Sequence, residues 1–214
     1  IGSDAIDQHT AMNSAILTGR TGSSKSASVY KPILLQTPEP KVGNEDPASM
    51  SYIVLDPASE LEQDSAGYNE ERGYETDVIN FSDSSKSSVS WNPLEGLTDS
   101  GVSRFASEYI ETALRSSNTN DPFWGISSQR VLRLGINILR HFPDYLNSYN
   151  LRYIVQLMSS DSEELDMLVS LPLIKQSVFN EFASLQSMGQ KLKSSVIATT
   201  LASLELFADP EIAR

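Results

Sequence analysis

Apolar and polar residues follow two different patterns along the chain, and the change falls near Leu94. In the first part, short apolar runs predict strands at residues 11–18, 51–56 and 74–81. A helix is predicted after Lys25, kinked or ended at Pro32, and an acidic surface helix at 58–72, stopped by Gly73. Strands that alternate with helices at these spacings predict the start of a doubly wound α/β domain.

Residues after Leu94 carry apolar side chains at helical spacing, with no convincing strand. Asp121-Pro122 predicts a helix start, because a capping carboxylate precedes proline at the first helical position. Asn150 is a second candidate cap, and Ser160-Asp161-Ser162-Glu163 is a capping-box pattern. The second part is therefore predicted to be an all-α bundle of roughly five to seven helices.

Composition excludes several kinds of site. The 214 residues include no cysteine, which rules out disulfides and thiolate chemistry within them, and only His9 and His141 offer imidazole ligands. No apolar run reaches the roughly 18–20 residues of a membrane span. The net charge of −12 disfavours a nucleic-acid backbone binder. Because the chain starts at Ile1 rather than at a methionine, we expect a fragment of a longer protein.

The candidate chemistry lies in Gly19–Ser26, which follows the apolar run Ala15-Ile16-Leu17 and opens into the first predicted helix. Strand, small-residue loop, Lys-Ser and helix is the arrangement of a phosphate-binding P-loop. In such a loop, backbone N–H groups face the phosphates, the lysine supplies a positive charge, and the following hydroxyl reaches Mg²⁺. The pattern G-x-x-x-x-G-K-[ST] is matched except at Ser24, which stands where the last glycine belongs.

Outside the loop, the candidate residues have simpler alternative interpretations. Asp56 is either a helix cap or turn residue before Pro57, or an acid beside the loop at the carboxyl edge of the sheet, where ligands bind in α/β folds. Glu60 is more simply a solvated helix residue. Trp91 and Trp124 are most simply packing residues, with base stacking as the less favoured alternative.

Four stretches in this order resemble the coupling ATPases of type IV secretion and conjugation, the TraG/TraD-like group of RecA-like DNA-pumping ATPases. They are the P-loop and the family's Asp-Pro-Lys-Gly-Glu-Leu, Asn-Pro-Leu and Asp-Pro-Phe-Trp segments, found here at 19–26, 53–61, 90–94 and 121–124. The combination is far more specific than any one motif, and it spans nearly the whole chain.

The resemblance implies an α/β fold, in which residues 1–94 form the first part of a RecA-like P-loop nucleotide-binding domain and 95–214 an inserted all-α helical domain. It implies an ATPase that uses ATP and Mg²⁺ and assembles as a homo-hexamer. Such a protein passes relaxase-bound DNA or effector proteins to secretion-channel components. The location implied is the cytoplasmic face of the bacterial inner membrane, with the anchor and the catalytic Asp-Glu strand outside this chain.

Matching positions carry over the family's site residues. The resemblance implies that Lys25 contacts the β- and γ-phosphates as the catalytic residue and that Ser26 binds Mg²⁺. The nucleotide-binding set that it implies is Gly19, Arg20, Thr21, Gly22, Ser23, Ser24, Lys25, Ser26, Asp56 and Glu60. Two departures bear on activity. Ser24 adds a Cβ at a position where a positive φ would cost a non-glycine residue about 1 kcal/mol, and Ala58-Ser59 replaces the family's Lys-Gly.

Two other functions remain open. With a degenerate loop, the protein would be a non-hydrolysing adaptor whose acidic helical domain docks secretion substrates. An unrelated P-loop enzyme, such as a nucleotide kinase, is the third possibility. The helical second half and the Asn-Pro-Leu and Asp-Pro-Phe-Trp segments count against it.

Overall fold

The computed structural model describes residues 20, 24–35, 52–56, 60–80, 83–115, 121–160 and 162–208. Two compact units divide the chain, Ile1–Asp77 and Val78–Arg214. The domain boundary placed between residues 94 and 95 stays a prediction. The first predicted strand, residues 11–18, lies outside the described residues.

The first unit contains a helix that changes type along its length. Ser26–Tyr30 form a π-helical turn, and Lys31–Leu35 continue as helix α1. The Lys31 N–H donates to the Ser26 carbonyl, five residues back, as π-helical geometry requires. Pro32 has no N–H group and lies in the first turn of α1, where that loss is tolerated. The chain therefore remains helical through Pro32, and the predicted break appears as a change of helix type.

Helix α2, Glu60–Glu71, confirms the predicted acidic surface helix. It stops at Gly73, whose φ is 88°. The Tyr74 N–H donates to the Asn69 carbonyl at 3.0 Å, and the Gly73 N–H donates to the Glu70 carbonyl at 2.9 Å. These are the two bonds of a Schellman cap, in which the residue after the cap is left-handed. Glycine adopts that conformation without a Cβ penalty.

Polar contacts join α1 to α2. Lys31 forms an ion pair with Asp64, and this hydrogen bond raises the pKa of Lys31. Arg72 donates from Nη1 to the Leu35 carbonyl at 3.2 Å, and its guanidinium carbon lies 5.4 Å from the centre of the Tyr68 ring. This cation–π contact and the backbone bond tie the end of α2 to the end of α1.

The predicted α/β, RecA-like fold is wrong for the described residues, which form helices and turns and no β-strand. Residues 52–56 are extended, with Ile53 97% and Leu55 89% exposed. Residues 74–80 are also extended. The Ser88 N–H donates to the Val78 carbonyl at 3.0 Å, but the return bond from the Val78 N–H goes to the Ser88 hydroxyl at 2.8 Å, so this contact does not form a β-ladder. A strand needs a second backbone alongside it, and an apolar run carries no information about that partner.

The second unit is helical in its described part, as the spacing of its apolar residues predicts. Its α-helices, in chain order, are α3 (Asp99–Leu114), α4 (Pro122–Leu139), α5 (Ser148–Leu157), α6 (Glu163–Val169), α7 (Gln176–Gln186) and α8 (Gln190–Ser203). Turns of 3₁₀ helix lie at Ser84–Lys86, Pro143–Tyr145 and Glu205–Ala208.

Side chains cap the first turns of four of these helices. The capping residues, for α3 to α6 in order, are Thr98, Asp121, Asn147 and Ser162. Asp121 followed by proline confirms the predicted start of α4. Asn147, not Asn150, caps α5, because its side chain is the one that accepts a first-turn N–H. The capping box is likewise misplaced: Ser162 is the cap, and Glu163 is the first helical residue rather than the third.

The core of this unit surrounds α4, against which α3, α5, α7 and α8 all pack. The buried residues in the second half of α4 are Val131, Leu132, Leu134, Gly135, Ile136, Ile138 and Leu139. A helix that is apolar on almost every side is typical of a central position. At Gly135 a Cβ would lie 2.9 Å from Leu151 Cδ1 and 3.3 Å from Val155 Cγ2, so glycine sets how closely α5 approaches.

The two tryptophans differ in how far they are buried. Trp124 is partly buried against this core and meets Phe123 edge-on, with 5.4 Å between ring centres. Trp91 is 63% exposed, so the packing role predicted for it is not observed in the core.

Polar groups fasten the outer helices to α4 and to each other. Arg133 on α4 donates to Glu181 on α7 at 2.6 Å. The Tyr109 hydroxyl on α3 donates to the Ser203 carbonyl at the end of α8 at 2.7 Å, and burial raises the pKa of Tyr109 to about 12. His141, just past the end of α4, accepts the Lys175 N–H on its Nε2 at 3.2 Å. That bond satisfies a backbone donor at the start of α7, whose cap position has no side-chain bond.

Candidate functional site

The loop that resembles a P-loop is described at four of its eight positions, namely Arg20, Ser24, Lys25 and Ser26. Gly19, Thr21, Gly22 and Ser23, which complete the predicted cradle, lie outside the described residues. The described part of the loop is the segment where it enters the helix, together with Arg20 near its start.

Ser24 has a φ of 58°, which is the left-handed region, and Lys25 follows with φ −55° and ψ −44°, the right-handed helical region. A left-handed residue followed by a right-handed one turns successive backbone N–H groups toward a common point, forming the concave nest that binds anions. The positive φ that the glycine pattern suggested for this position is therefore present in the described structure. Ser24 adopts it despite a Cβ, at a cost of about 1 kcal/mol.

The helix begins directly after this pair of residues. The Ser28 N–H donates to the Ser24 carbonyl at 2.8 Å, and Ser26 is the first residue of the π-helical turn. No side chain caps this turn at Lys25, in contrast to the capped starts of α3 to α6. A helix start concentrates unpaired N–H groups and partial positive charge, both of which favour an anion.

The Lys25 ammonium reaches back across the loop. Its Nζ donates to the Arg20 carbonyl at 2.9 Å, joining the exit of the loop to its start. The contact is to a backbone oxygen, so the pattern of side chains could not have predicted it. To contact a phosphate, Lys25 would exchange this carbonyl for a phosphate oxygen, an acceptor that carries a full negative charge.

Asp56 acts as a helix cap. Its Oδ2 accepts the N–H groups of Leu61 at 2.7 Å and Glu62 at 3.2 Å, in the first turn of α2. Of the two interpretations of Asp56, the cap is the one with hydrogen bonds in the described structure. Glu60 is exposed at the first position of α2. Both carboxylates add to the field that raises the pKa of Lys31, after the larger effect of Asp64.

A family model described as Type IV secretory system Conjugative DNA transfer matches residues 5–214. The chain belongs to this family. The resemblance drawn from the four sequence segments is thereby confirmed. Neither the curated proteins nor the solved structures contain a match to the chain.

Membership of the conjugative DNA transfer family assigns the chain a role in DNA transfer through a bacterial type IV secretion system. The net charge of −12 is unlike that of a protein that holds nucleic acid on a broadly basic surface. Within the ranges that the structure describes, no helix has the length and apolarity needed to cross a membrane.

Proposed function

We propose that Gly19–Ser26 binds the phosphates of ATP together with Mg²⁺. The observation that carries the proposal is the left-handed to right-handed succession at Ser24 and Lys25, which aims backbone N–H groups at one point where an uncapped helix also begins. The residues present fit the group, because backbone N–H donors, the Lys25 ammonium and the Ser26 hydroxyl belong to the same short stretch of chain.

Each group of the proposed site has a separate role. The N–H groups of the loop cradle the phosphate oxygens, and Lys25 neutralises charge on the β- and γ-phosphates. The Ser26 hydroxyl is the protein's ligand for Mg²⁺, whose charge stabilises the phosphate oxygens when it is bound. Asp56 caps α2 and holds the start of that helix, and its contact with nucleotide, like that of Glu60, stays a prediction.

We extend the proposal to ATP hydrolysis by in-line attack of water on the γ-phosphate, with Lys25 stabilising the developing charge. Hydrolysis by a homo-hexamer at the cytoplasmic face of the bacterial inner membrane would then drive relaxase-bound DNA or effector proteins into the secretion channel. Family membership supports the transfer role, and the loop supports the nucleotide.

A non-hydrolysing adaptor is the second candidate, and two features of the loop favour it. Lys25 already bonds the Arg20 carbonyl, and Ser24 carries a Cβ at the position where backbone must approach phosphate closely. Both features oppose an incoming phosphate. If they prevail, the acidic chain serves the transfer system by docking other proteins.

Titration calorimetry with ATP·Mg²⁺ separates the two candidates. We expect Ser24→Gly to tighten binding several-fold, because it removes the Cβ at the position where the backbone must approach phosphate closely. Lys25→Ala is expected to weaken binding by more than about tenfold, as loss of a charge-assisted contact. Lys86→Ala, which removes an exposed lysine of the second unit, is the matched control and should change nothing.

Ser26→Ala tests the metal separately, since it should reduce the gain in affinity that Mg²⁺ confers while leaving metal-free ATP binding unchanged. Absence of binding by both the parent chain and Ser24→Gly would contradict the nucleotide proposal and leave the adaptor.

A further inference from the structure

Helix α6 carries a large apolar side chain on the side that faces solvent. Leu165 and Val169 are buried and fix the inward side of the helix. Met167 follows Leu165 by two residues, a rotation of about 200°, and is 73% exposed. Met167 is therefore not a poorly packed core residue, because its position on the helix points it away from the core.

The apolar surface continues past the end of α6. The Ser170 N–H donates to the Asp166 carbonyl at 3.1 Å, and the Leu171 N–H donates to the Leu168 carbonyl at 3.3 Å. The chain therefore continues in a helical turn after α6. Leu171, four residues after Met167, lies on the same side of the turn. Leu173 is 50% exposed, and the buried Ile174 anchors the segment immediately after it.

Three large exposed apolar side chains within seven residues are unusual on a soluble surface, where such residues normally occur singly. Methionine is common at adaptable binding surfaces, because its unbranched thioether side chain fits partners of different shapes. The apolar part of the surface therefore calls for an occupant with large apolar side chains.

Acidic side chains border this surface. Glu163 and Glu164 precede Met167 by four and three residues, which places them beside it on the same outward side of α6. Asp166 is exposed as well. Glu181 on α7 is paired with Arg133, but in the described residues no ion pair involves these three.

The helix dipole explains only part of this arrangement. Acidic residues in a first turn stabilise a helix by a few tenths of a kcal/mol up to about 1 kcal/mol, which accounts for the position of the charges. It does not account for Met167, Leu171 and Leu173 beside them. Lys175, the next basic residue after this segment, lies near Asp99, whose pKa Arg140 and then Lys175 lower.

We propose that the α6 face, defined as Glu163, Glu164, Met167, Leu171 and Leu173, docks a basic peptide segment of a partner protein. The segment presents large apolar side chains to Met167 and the two leucines, and lysines or arginines to the glutamates. Charge complementarity selects this occupant over nucleic acid, whose phosphates the glutamates repel. The proposal does not rest on nucleotide binding and holds even if Lys25 contacts no phosphate.

The test uses the full 214-residue chain and a fluorescein-labelled synthetic peptide of about 18 residues, with leucine and lysine arranged on opposite faces of a helix. Fluorescence anisotropy measures its affinity at low and at high salt. Two further peptides serve as probes, one with glutamate in place of every lysine and one with serine in place of every leucine. Both should bind at least about tenfold more weakly.

Variants of the α6 face locate the binding. The double variant Met167→Ser/Leu171→Ser should weaken binding of the leucine–lysine peptide about tenfold. The double variant Glu163→Gln/Glu164→Gln should weaken it several-fold at low salt and flatten its salt dependence. These side chains are exposed, so thermal unfolding should show that both variants remain folded.

Matched controls change the same chemistry elsewhere. Ile126, which is 65% exposed on α4, is replaced in Ile126→Ser. The pair Glu111→Gln/Asp144→Asn removes the same two charges from other exposed positions. Affinity for the leucine–lysine peptide should stay within about twofold of the parent in both controls. Lys25→Ala should also bind the peptide as the parent does, which separates this proposal from the nucleotide one.

Four outcomes would overturn the inference. One is no measurable binding of the leucine–lysine peptide by the parent chain, and another is equal loss of binding in the control variants. A third is equal affinity for the glutamate peptide or for a single-stranded oligonucleotide. The last is self-association of the parent that Met167→Ser/Leu171→Ser abolishes, which would make a second copy of this chain the occupant.

Discussion

The two units of the chain stabilise their helices by different means. In the described part of the first unit, Leu34 is the one buried apolar side chain, and polar contacts such as Lys31 with Asp64 join its helices. In the second unit a continuous apolar core surrounds α4, and side chains cap the starts of α3 to α6. The second unit thus satisfies its own backbone and buries its own apolar surface.

The same contrast appears in the backbone. Among the described residues, Ser24 is the only non-glycine residue with a positive φ. In the second unit the positive φ falls on Gly96, where it has no steric cost. Backbone strain at Ser24 is retained at a candidate site, whereas glycine avoids such strain at position 96. Strain that a protein retains in this way suggests a function for the strained conformation. The phosphate site that we propose in the first unit therefore depends on backbone groups, whereas the second unit has side chains arranged for packing.

The largest expected effect tests the difference in packing directly. Leu132→Ala should lower the free energy of unfolding by about 3 kcal/mol, because it opens a cavity in a dense core. Leu34→Ala should cost only about 1 kcal/mol, since fewer apolar neighbours surround it. Urea unfolding of the whole chain gives the totals, and hydrogen exchange assigns each loss to its unit. Equal losses for the two variants would show that the two units are packed alike.

A pair of glycines on α4 provides a sharper test of the core. Gly135→Ala should cost about 1 to 2 kcal/mol, because the added Cβ displaces Leu151 in an already filled space. Gly125→Ala should instead stabilise the protein by up to about 1 kcal/mol, since nothing lies within 4 Å and alanine favours helix. Thermal unfolding measures both. If Gly135→Ala also stabilised the protein, the close approach of α5 to α4 would be disproved.

The smallest effect concerns the tie between α3 and α8. Tyr109→Phe removes the donor to the Ser203 carbonyl and should cost about 1 kcal/mol. Burial raises the pKa of Tyr109 from 10.0 to about 12, so the folded state keeps the phenol proton more tightly than the unfolded state does. The resulting stability is complete below pH 10 and is lost as the pH rises toward 12.

Unfolding measured across this alkaline range should therefore show a shallower decline for Tyr109→Phe than for the parent. Tyr145→Phe, at an exposed position, is the control and should follow the parent. An alkaline profile of Tyr109→Phe that is indistinguishable from the parent would remove the hydroxyl from the account of how these helices are joined.

Local signals predicted the helices well. Helical spacing and capping residues act over a few positions, so Asp121-Pro122 marked the start of α4 and Gly73 the end of α2. Errors in the caps were equally local, as with Asn147 in place of Asn150. The strand predictions at 51–56 and 74–81 failed on their described residues for a different reason, because pairing depends on a distant backbone that the pattern does not specify.

At the candidate site, too, some features could be predicted from the sequence and others could not. The octapeptide and its order relative to the three other segments were sufficient to recognise the conjugative DNA transfer family. The contact of Lys25 with the Arg20 carbonyl was beyond sequence reasoning, since any residue supplies a backbone oxygen. The outward position of Met167 was within reach, because its spacing from Leu165 and Val169 on a capped helix already places it opposite the core.

Sequence alone determined the family, the helical character of the second unit and the residue types of the loop, because these depend on order, spacing and chemistry along the chain. The folded structure was needed to show that Asp56 caps α2, that Lys25 folds back across its loop and that Trp91 faces solvent. Each of these depends on which backbone or side chain lies nearby in space. Burial and hydrogen bonding are relations between distant positions, and they exist only once the chain has folded.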